Sequence, residues 1–293
     1  MIDFLRTPDE RFVDLPGYDF SPHYIAQDNG LRMHYLDEGS GDHVFLCLHG
    51  QPTWSYLYRK MIPPLSAKGR VIAPDFFGFG RSDKPIEEDV YSFDFHRNAL
   101  IALIHALDLT NITLVCQDWG GLLGLTIPLT MPSRFTRLIV MNTGLGTGDR
   151  VLGAGFEAWK QFNRAQKDLN IASLLKRSTP ILSDLEAAAY AAPFPDARYK
   201  AGVRQFPELV PSTPDSPGAA ISRAARDWWK TQWNGKSFMA IGEADPVITP
   251  DAMLYLHSLI RGCPAPLHIA KAGHFVQEWG DQVASAALLS FSE

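Results

Sequence analysis

The residues best placed to do chemistry are an aspartate, a second aspartate and a histidine, in that order along the chain. Asp118 lies in Gln117-Asp118-Trp119-Gly120-Gly121, directly after the apolar run Ile112–Cys116 and ahead of an apolar helix. Strand, tight turn and helix in succession make a nucleophile elbow, whose strained backbone requires small residues two positions to either side of the nucleophile. Those positions hold Cys116 and Gly120. A carboxylate at the elbow is ionised at neutral pH and attacks without first losing a proton. As a modest nucleophile it needs a carbon with a good leaving group or a strained ring, and the product is an alkyl ester on the protein. In isolation an aspartate ahead of a helix reads as an N-cap; its partners reverse that reading. Gly120-Gly121 fits neither phosphate-binding glycine pattern.

An ester intermediate must be hydrolysed, and the attacking water needs a base. His274 follows the last apolar run, in Ala272-Gly273-His274-Phe275, where an imidazole suits the task near neutral pH. The acid that would fix its tautomer is Asp245, just beyond the strand Phe238–Ile241, with Glu243 as a nearby competitor. The alternative place for that acid, Met141-Asn142-Thr143-Gly144, carries no carboxylate. Two backbone N–H groups should hold the oxyanion: that of Trp119, after the nucleophile, and that of Gln51, in the loop His49-Gly50-Gln51-Pro52. Of the other histidines, His34, His49, His96, His105 and His257 read as structural. A halide leaving an apolar pocket needs hydrogen-bond donors, and the donor-only indole N–H suits it. Trp119 is one candidate and Trp159 the other, with Trp228, Trp229 and Trp233 as rivals that pattern alone leaves open.

The elements that position these groups alternate. His43–Leu48, Arg70–Ala73, Ile112–Cys116, Arg137–Met141, Phe238–Ile241 and Leu267–Ile269 read as strands without polar interruption, which suits a parallel sheet covered on both faces. Between them Phe93, Leu100, Leu103, Ile104 and Leu107 form a helical stripe, and Thr249-Pro250-Asp251 starts another helix. The alternation predicts a doubly wound α/β fold. It fails from about residue 146 to residue 226, where only helical patterns occur: Ser183 and Glu186 match a capping box, and a proline-rich loop spans Phe206–Pro217. That block is expected to be a helical cap inserted between core segments 1–145 and 227–293.

The 293 residues are 46% hydrophobic and 20% charged, with a net charge of −5; the absence of a basic stripe argues against a nucleic-acid partner. Three cysteines without short spacing argue against disulfides and a zinc site, and Cys47 and Cys116 read as small buried hydrophobes. No apolar stretch reaches the roughly 18 residues of a membrane span, and the first residues lack a secretory pattern. A cytoplasmic monomer without metal or cofactor is expected.

The segments His49–Met61, Ala73–Pro85, Gln117–Gly121, Gly155–Lys160, Ala191–Asp196, Phe238–Asp245 and Ala272–Glu278 resemble those of haloalkane dehalogenases with the α/β-hydrolase fold, most of all the subfamily of the 1,2-dichloroethane-degrading enzyme. The resemblance covers most of the chain. It implies Asp118 as nucleophile, His274 as base, Asp245 as acid, and Trp119 and Trp159 as halide ligands. It further implies Phe156, Phe206, Pro207 and Val210 as pocket lining, with a haloalkane, halide and water as the partners. Two departures bear on water positioning and pocket size: Gln51 stands where the dichloroethane enzyme has an acid, and Leu122 where it has phenylalanine. The rival readings are an epoxide hydrolase, which needs cap tyrosines such as Tyr190 or Tyr199 to protonate the ring oxygen, and a non-catalytic ligand receptor of the same fold.

Overall fold

The computed structural model describes residues 2–292. Its ten strands are β1 (Phe4–Leu5), β2 (His23–Ala26), β3 (Arg32–Glu38), β4 (Val44–Leu48), β5 (Arg70–Pro74), β6 (Lys84–Pro85), β7 (Ile112–Cys116), β8 (Phe135–Met141), β9 (Lys236–Gly242) and β10 (Leu267–Ile269). Eight of them form one sheet in the order β10-β9-β8-β7-β4-β5-β3-β2, and β1 pairs with β6 in a separate ladder. All pairings from β10 to β5 are parallel, and β3 and β2 join antiparallel at one end. Every residue of β4 and β7 is buried, so both faces of the sheet centre are covered.

The ten helices are α1 (Ile62–Ser66), α2 (Phe93–Ala106), α3 (Trp119–Gly124), α4 (Ala154–Ala165), α5 (Ile171–Ser178), α6 (Asp184–Ala191), α7 (Ala201–Leu209), α8 (Ala219–Thr231), α9 (Pro250–Leu259) and α10 (Gly280–Ser292). On the core, α1 packs with α10, α2 with α3, and α8 with α9. Their starts follow local chemistry. Ser92 accepts from the Phe95 N–H at the head of α2, and Thr249 from the Ala252 N–H at the head of α9. Ser183 and Glu186 close both halves of the capping box of α6.

Three features depart from the sequence expectations. Strands β2 and β3 were not foreseen, because their runs HYIA and RMHYLDE mix polar and apolar residues at the half-covered end of the sheet. The loop expected from Phe206 begins only after Leu209: Phe206 and Pro207 belong to α7, where Phe206 is fully buried. The expected boundary at residue 226 falls inside α8, which packs on the core. Its buried Trp229 donates Nε1–H to the Leu125 carbonyl at 2.7 Å, and the Trp229 carbonyl accepts from the Arg261 N–H. Helices α4 to α7 remain as the inserted block, with α4 on α7 and α5 on α6.

The insert is fastened to the core by a buried ion cluster. The Arg59 guanidinium makes a two-point contact with Glu278, at 2.6 and 2.8 Å, and reaches Glu186 of α6 at 2.8 Å. The Tyr190 hydroxyl, also from α6, donates to Glu278, and Lys60 lies 2.9 Å from the same carboxylate. The Arg59 and Glu278 side chains are 2% and 0% exposed. Breaking a buried pair from one side costs more than the pair contributes, because the remaining charge has no solvent. Arg59→Met is therefore expected to lower unfolding stability by about 3 kcal/mol, the lower end of the range for such losses, since Lys60 still reaches Glu278. Urea denaturation measures this, and an unchanged midpoint would show that the cluster contributes nothing.

Candidate active site

Asp118 sits between β7 and α3 with φ 49° and ψ −124°, a conformation rarely adopted by residues other than glycine. Its side chain makes no capping bond to α3, so the N-cap reading fails. The strain is held by neighbours: the Asp118 N–H donates to the Asn142 carbonyl at 3.0 Å, and its carbonyl accepts from Thr143 Oγ1 at 2.6 Å. Close approach explains two glycines. A Cβ on Gly120 would lie 1.9 Å from the Leu48 carbonyl oxygen, and one on Gly50 would lie 2.3 Å from Asp118 Oδ2.

The Gln51 N–H donates to Asp118 Oδ2 at 2.8 Å, while Oδ1 faces His274 Nε2 at 3.5 Å. The Trp119 N–H opens α3, where it has no acceptor within the helix. His49 sets the loop that carries Gln51. Its Nε2 accepts from the Phe76 N–H at 2.9 Å, so Nδ1 carries the proton and donates to the Gly50 carbonyl at 2.8 Å. Burial lowers the His49 pKa and keeps the ring neutral.

His274 Nδ1 donates to Asp245 Oδ2 at 2.8 Å, which leaves Nε2 directed at Asp118. Asp245 is enclosed, and its carboxylate also accepts from the Asn142 side-chain amide at 2.9 Å and the Val247 and Ile248 N–H groups at 2.8 and 3.0 Å. Burial works against its charge, but His274 and these donors outweigh it and hold its pKa below the usual carboxylate range. Glu243 pairs instead with His268, half-exposed, at 3.0 Å. Asn142, Thr143 and Gln117, whose amide donates to the His274 carbonyl at 3.0 Å, were missed as supporting residues. Their side-chain amides and hydroxyl act across strand ends that are distant in sequence, and no local pattern marks them.

These groups open on a cavity of about 1020 Å³ between the core and the insert. Gln51, Asp118, Trp119, Leu122, Phe156, Trp159, Pro207, Val210 and His274 all line it. Phe206 does not: it lies behind Trp119, with ring centroids 4.7 Å apart, and packs on Phe79 and His96. The sequence reading missed Phe162, Leu174 and Ile248, which complete the apolar wall. Among the four candidate tryptophans of the second halide site, only Trp159 reaches the cavity. Trp229 and Trp233 spend their N–H groups on Leu125 and Ser237, and Trp228 packs against both. The Trp119 and Trp159 indoles have no hydrogen-bond acceptor among the described residues. Tyr190 is enclosed beside Arg59 and Glu278, and neither it nor Tyr199 lines the cavity.

A largely parallel sheet with a strained elbow, a loop amide aimed at the elbow side chain and an acid–histidine pair beyond the later strands defines an α/β hydrolase. The profile of the alpha/beta hydrolase fold family matches residues 43–281. A haloalkane dehalogenase of Psychrobacter cryohalolentis is 48% identical over 96% of this chain and 95% of its own length. One of Mycolicibacterium paratuberculosis is 42% identical over 99% and 98%. The solved tetrameric haloalkane dehalogenase of Paraglaciecola agarilytica superposes with a TM-score of 0.97 at 51% identity, covering 99% of each chain. The chain belongs to the haloalkane dehalogenase family.

Burial disfavours charge on His274, yet Asp245 and then Asp118 outweigh it and raise its pKa to about 10. A raised pKa stabilises the fold below the unfolded value of about 6.5, and the stabilisation is lost as the pH rises through about 10. Neutralising Asp118 removes one of the two carboxylates facing the ring. In Asp118→Asn the imidazole is therefore expected to titrate lower than in the native protein, which NMR titration of its ring protons reads directly. An unshifted pKa would mean that Asp118 does not act on His274.

Proposed function

We propose that this protein hydrolyses small haloalkanes to an alcohol, a halide ion and a proton, through an alkyl ester on Asp118. The observation that carries the reading is a carboxylate on a strained elbow, with one oxygen held by the Gln51 amide and the other beside His274, in a cavity that Trp119 and Trp159 also line. In the first step Asp118 Oδ1 attacks the halogen-bearing carbon, and the carbon–halogen bond breaks with its electron pair on the halide. Trp119 and Trp159 donate to that anion. Oδ2 stays on the Gln51 N–H and becomes the ester carbonyl oxygen.

In the second step water attacks the Asp118 carboxyl carbon as His274 Nε2 takes its proton. Esterification has already removed the Asp118 charge that favoured imidazolium, so the ring gives up its proton to solvent and stands neutral, able to accept one from the attacking water. The Gln51 and Trp119 amides hold the oxyanion; such a donor typically stabilises the transition state by about 2.7–4 kcal/mol. Collapse expels the alkoxide, which recovers a proton from His274, and the restored carboxyl group ionises.

The epoxide-hydrolase reading loses its support with Tyr190 committed to the ion cluster and Tyr199 outside the cavity. A non-turning receptor would keep the same geometry, and only turnover separates the two. The tetrameric state of the P. agarilytica relative leads us to propose assembly for this chain too, in place of a monomer; sedimentation equilibrium distinguishes them. The cytoplasm stands as the proposed compartment, and no helix among the described residues is long and apolar enough to cross a membrane.

Halide release from 1,2-dibromoethane and 1-bromobutane tests the reading. Asp118→Ala should release none. His274→Gln should release one halide per protein and then stall, with the alkyl ester visible as a mass increase; loss of that first turnover would refute the division of roles. Trp159→Phe should weaken halide binding by about 1.5–3 kcal/mol, the scale of a hydrogen bond to a charged group, as followed by quenching of the remaining tryptophan fluorescence.

A further inference from the structure

Helix α7 contains Pro207. A proline has no N–H, so the carbonyl four residues earlier, that of Val203, has lost its regular helical donor. That carbonyl is not left bare. The Gln51 side chain crosses from the core, and its Nε2–H donates to it at 3.0 Å in a buried setting. Only the amide nitrogen can donate to a carbonyl, so this contact fixes which way the amide group of Gln51 faces. Gln51 itself is 5% exposed, and its backbone N–H is the group that holds Asp118 Oδ2 at 2.8 Å. One residue thus grips the nucleophile with its backbone and the insert with its side chain.

The same helix touches the side chain of the residue that carries the second amide. Phe206 packs on the Trp119 ring, and the Trp119 N–H is the other proposed oxyanion donor. Pro207 faces the cavity. Three features of α7, the Val203 carbonyl, the Phe206 ring and Pro207, therefore meet Gln51, Trp119 and the reaction space respectively.

We infer that Gln51 is a positioning residue that couples the seating of α7 to the oxyanion hole, and that Pro207 keeps the Val203 carbonyl available for it. With α7 seated, the amide latch holds the Gln51 backbone in line with Asp118. With α7 displaced, the latch is broken and the oxyanion donor loses its orientation, so ester hydrolysis proceeds only beneath a closed insert. The inference rests on the oxyanion role proposed above for the Gln51 N–H.

Two substitutions and their combination test it. Gln51→Met keeps the length and apolar stem but cannot donate. Pro207→Ala supplies an N–H that competes for the Val203 carbonyl, and alanine favours the helix, so the fold is retained. The readout is the single-turnover rate constant for ester hydrolysis with 1,2-dibromoethane at saturation, which separates it from changes in substrate binding; thermal unfolding of each variant is followed alongside. Each single variant should slow ester hydrolysis about three- to tenfold, the range set by one neutral hydrogen bond, with little change in unfolding temperature. The double variant should be no slower than Gln51→Met alone, because both changes break one contact. Multiplying effects, or a native rate in Pro207→Ala, would overturn the latch. Absence of any ester in the native protein would instead overturn the function on which it rests.

Discussion

Asp118 keeps a positive φ that a non-glycine residue adopts at a cost, and the surroundings are built to hold it there. Its N–H and carbonyl are tied to Asn142 and Thr143 at the end of β8, while Gly50 and Gly120 clear the space that a Cβ would fill. The reward is directional. The carboxylate is lifted out of the sheet, with one oxygen against a backbone amide and the other toward the histidine and the cavity. A helical or extended backbone at residue 118 would aim the side chain elsewhere, and the cap tryptophan, the loop amide and the imidazole would then converge on nothing.

Charge balance follows from that placement. Two carboxylates face one imidazole, and the resting site favours the protonated ring, with its pKa raised to about 10 despite burial. In the cycle proposed above, the base needed later is the neutral ring, and converting Asp118 into an ester would supply the change, because it removes the charge that kept the ring protonated. Asp245 cannot play that part. It is enclosed and surrounded by donors from Asn142, Val247 and Ile248, which keep it ionised throughout.

The legible parts of the molecule were those set by local rules. Largely apolar runs announced β4, β7 and the Phe238–Ile241 part of β9, because strands buried on both faces hold few polar residues. The elbow announced Asp118, and its order relative to Asp245 and His274 matched the chain order of such folds. The capping box of α6 was readable because Ser183 and Glu186 satisfy each other within one turn. What stayed hidden depends on distant contacts. Phe206 carries an aromatic side chain in a segment rich in proline, and nothing in its neighbours says that it will brace Trp119 and leave the substrate wall to others. Pro207 reads as a helix breaker, yet it lies within α7, and a glutamine more than 150 residues away takes the carbonyl it frees. The end strands β2 and β3 pair at the half-covered edge, where mixed polarity erases the pattern.

The ion cluster at Arg59 has a bearing on cooperativity. Glu278 lies four residues beyond His274, in the short 3₁₀ turn Val276–Trp279, while Glu186 and Tyr190 belong to the insert and Arg59 to the core. A single guanidinium therefore joins the turn that follows His274 to helix α6 of the insert. Prising α6 away exposes the Glu278 carboxylate's partner and loosens the turn behind His274 in the same event. The docking of α6 and the setting of the turn behind His274 thus hang on one ion cluster, and heat that breaks the cluster disturbs both at once.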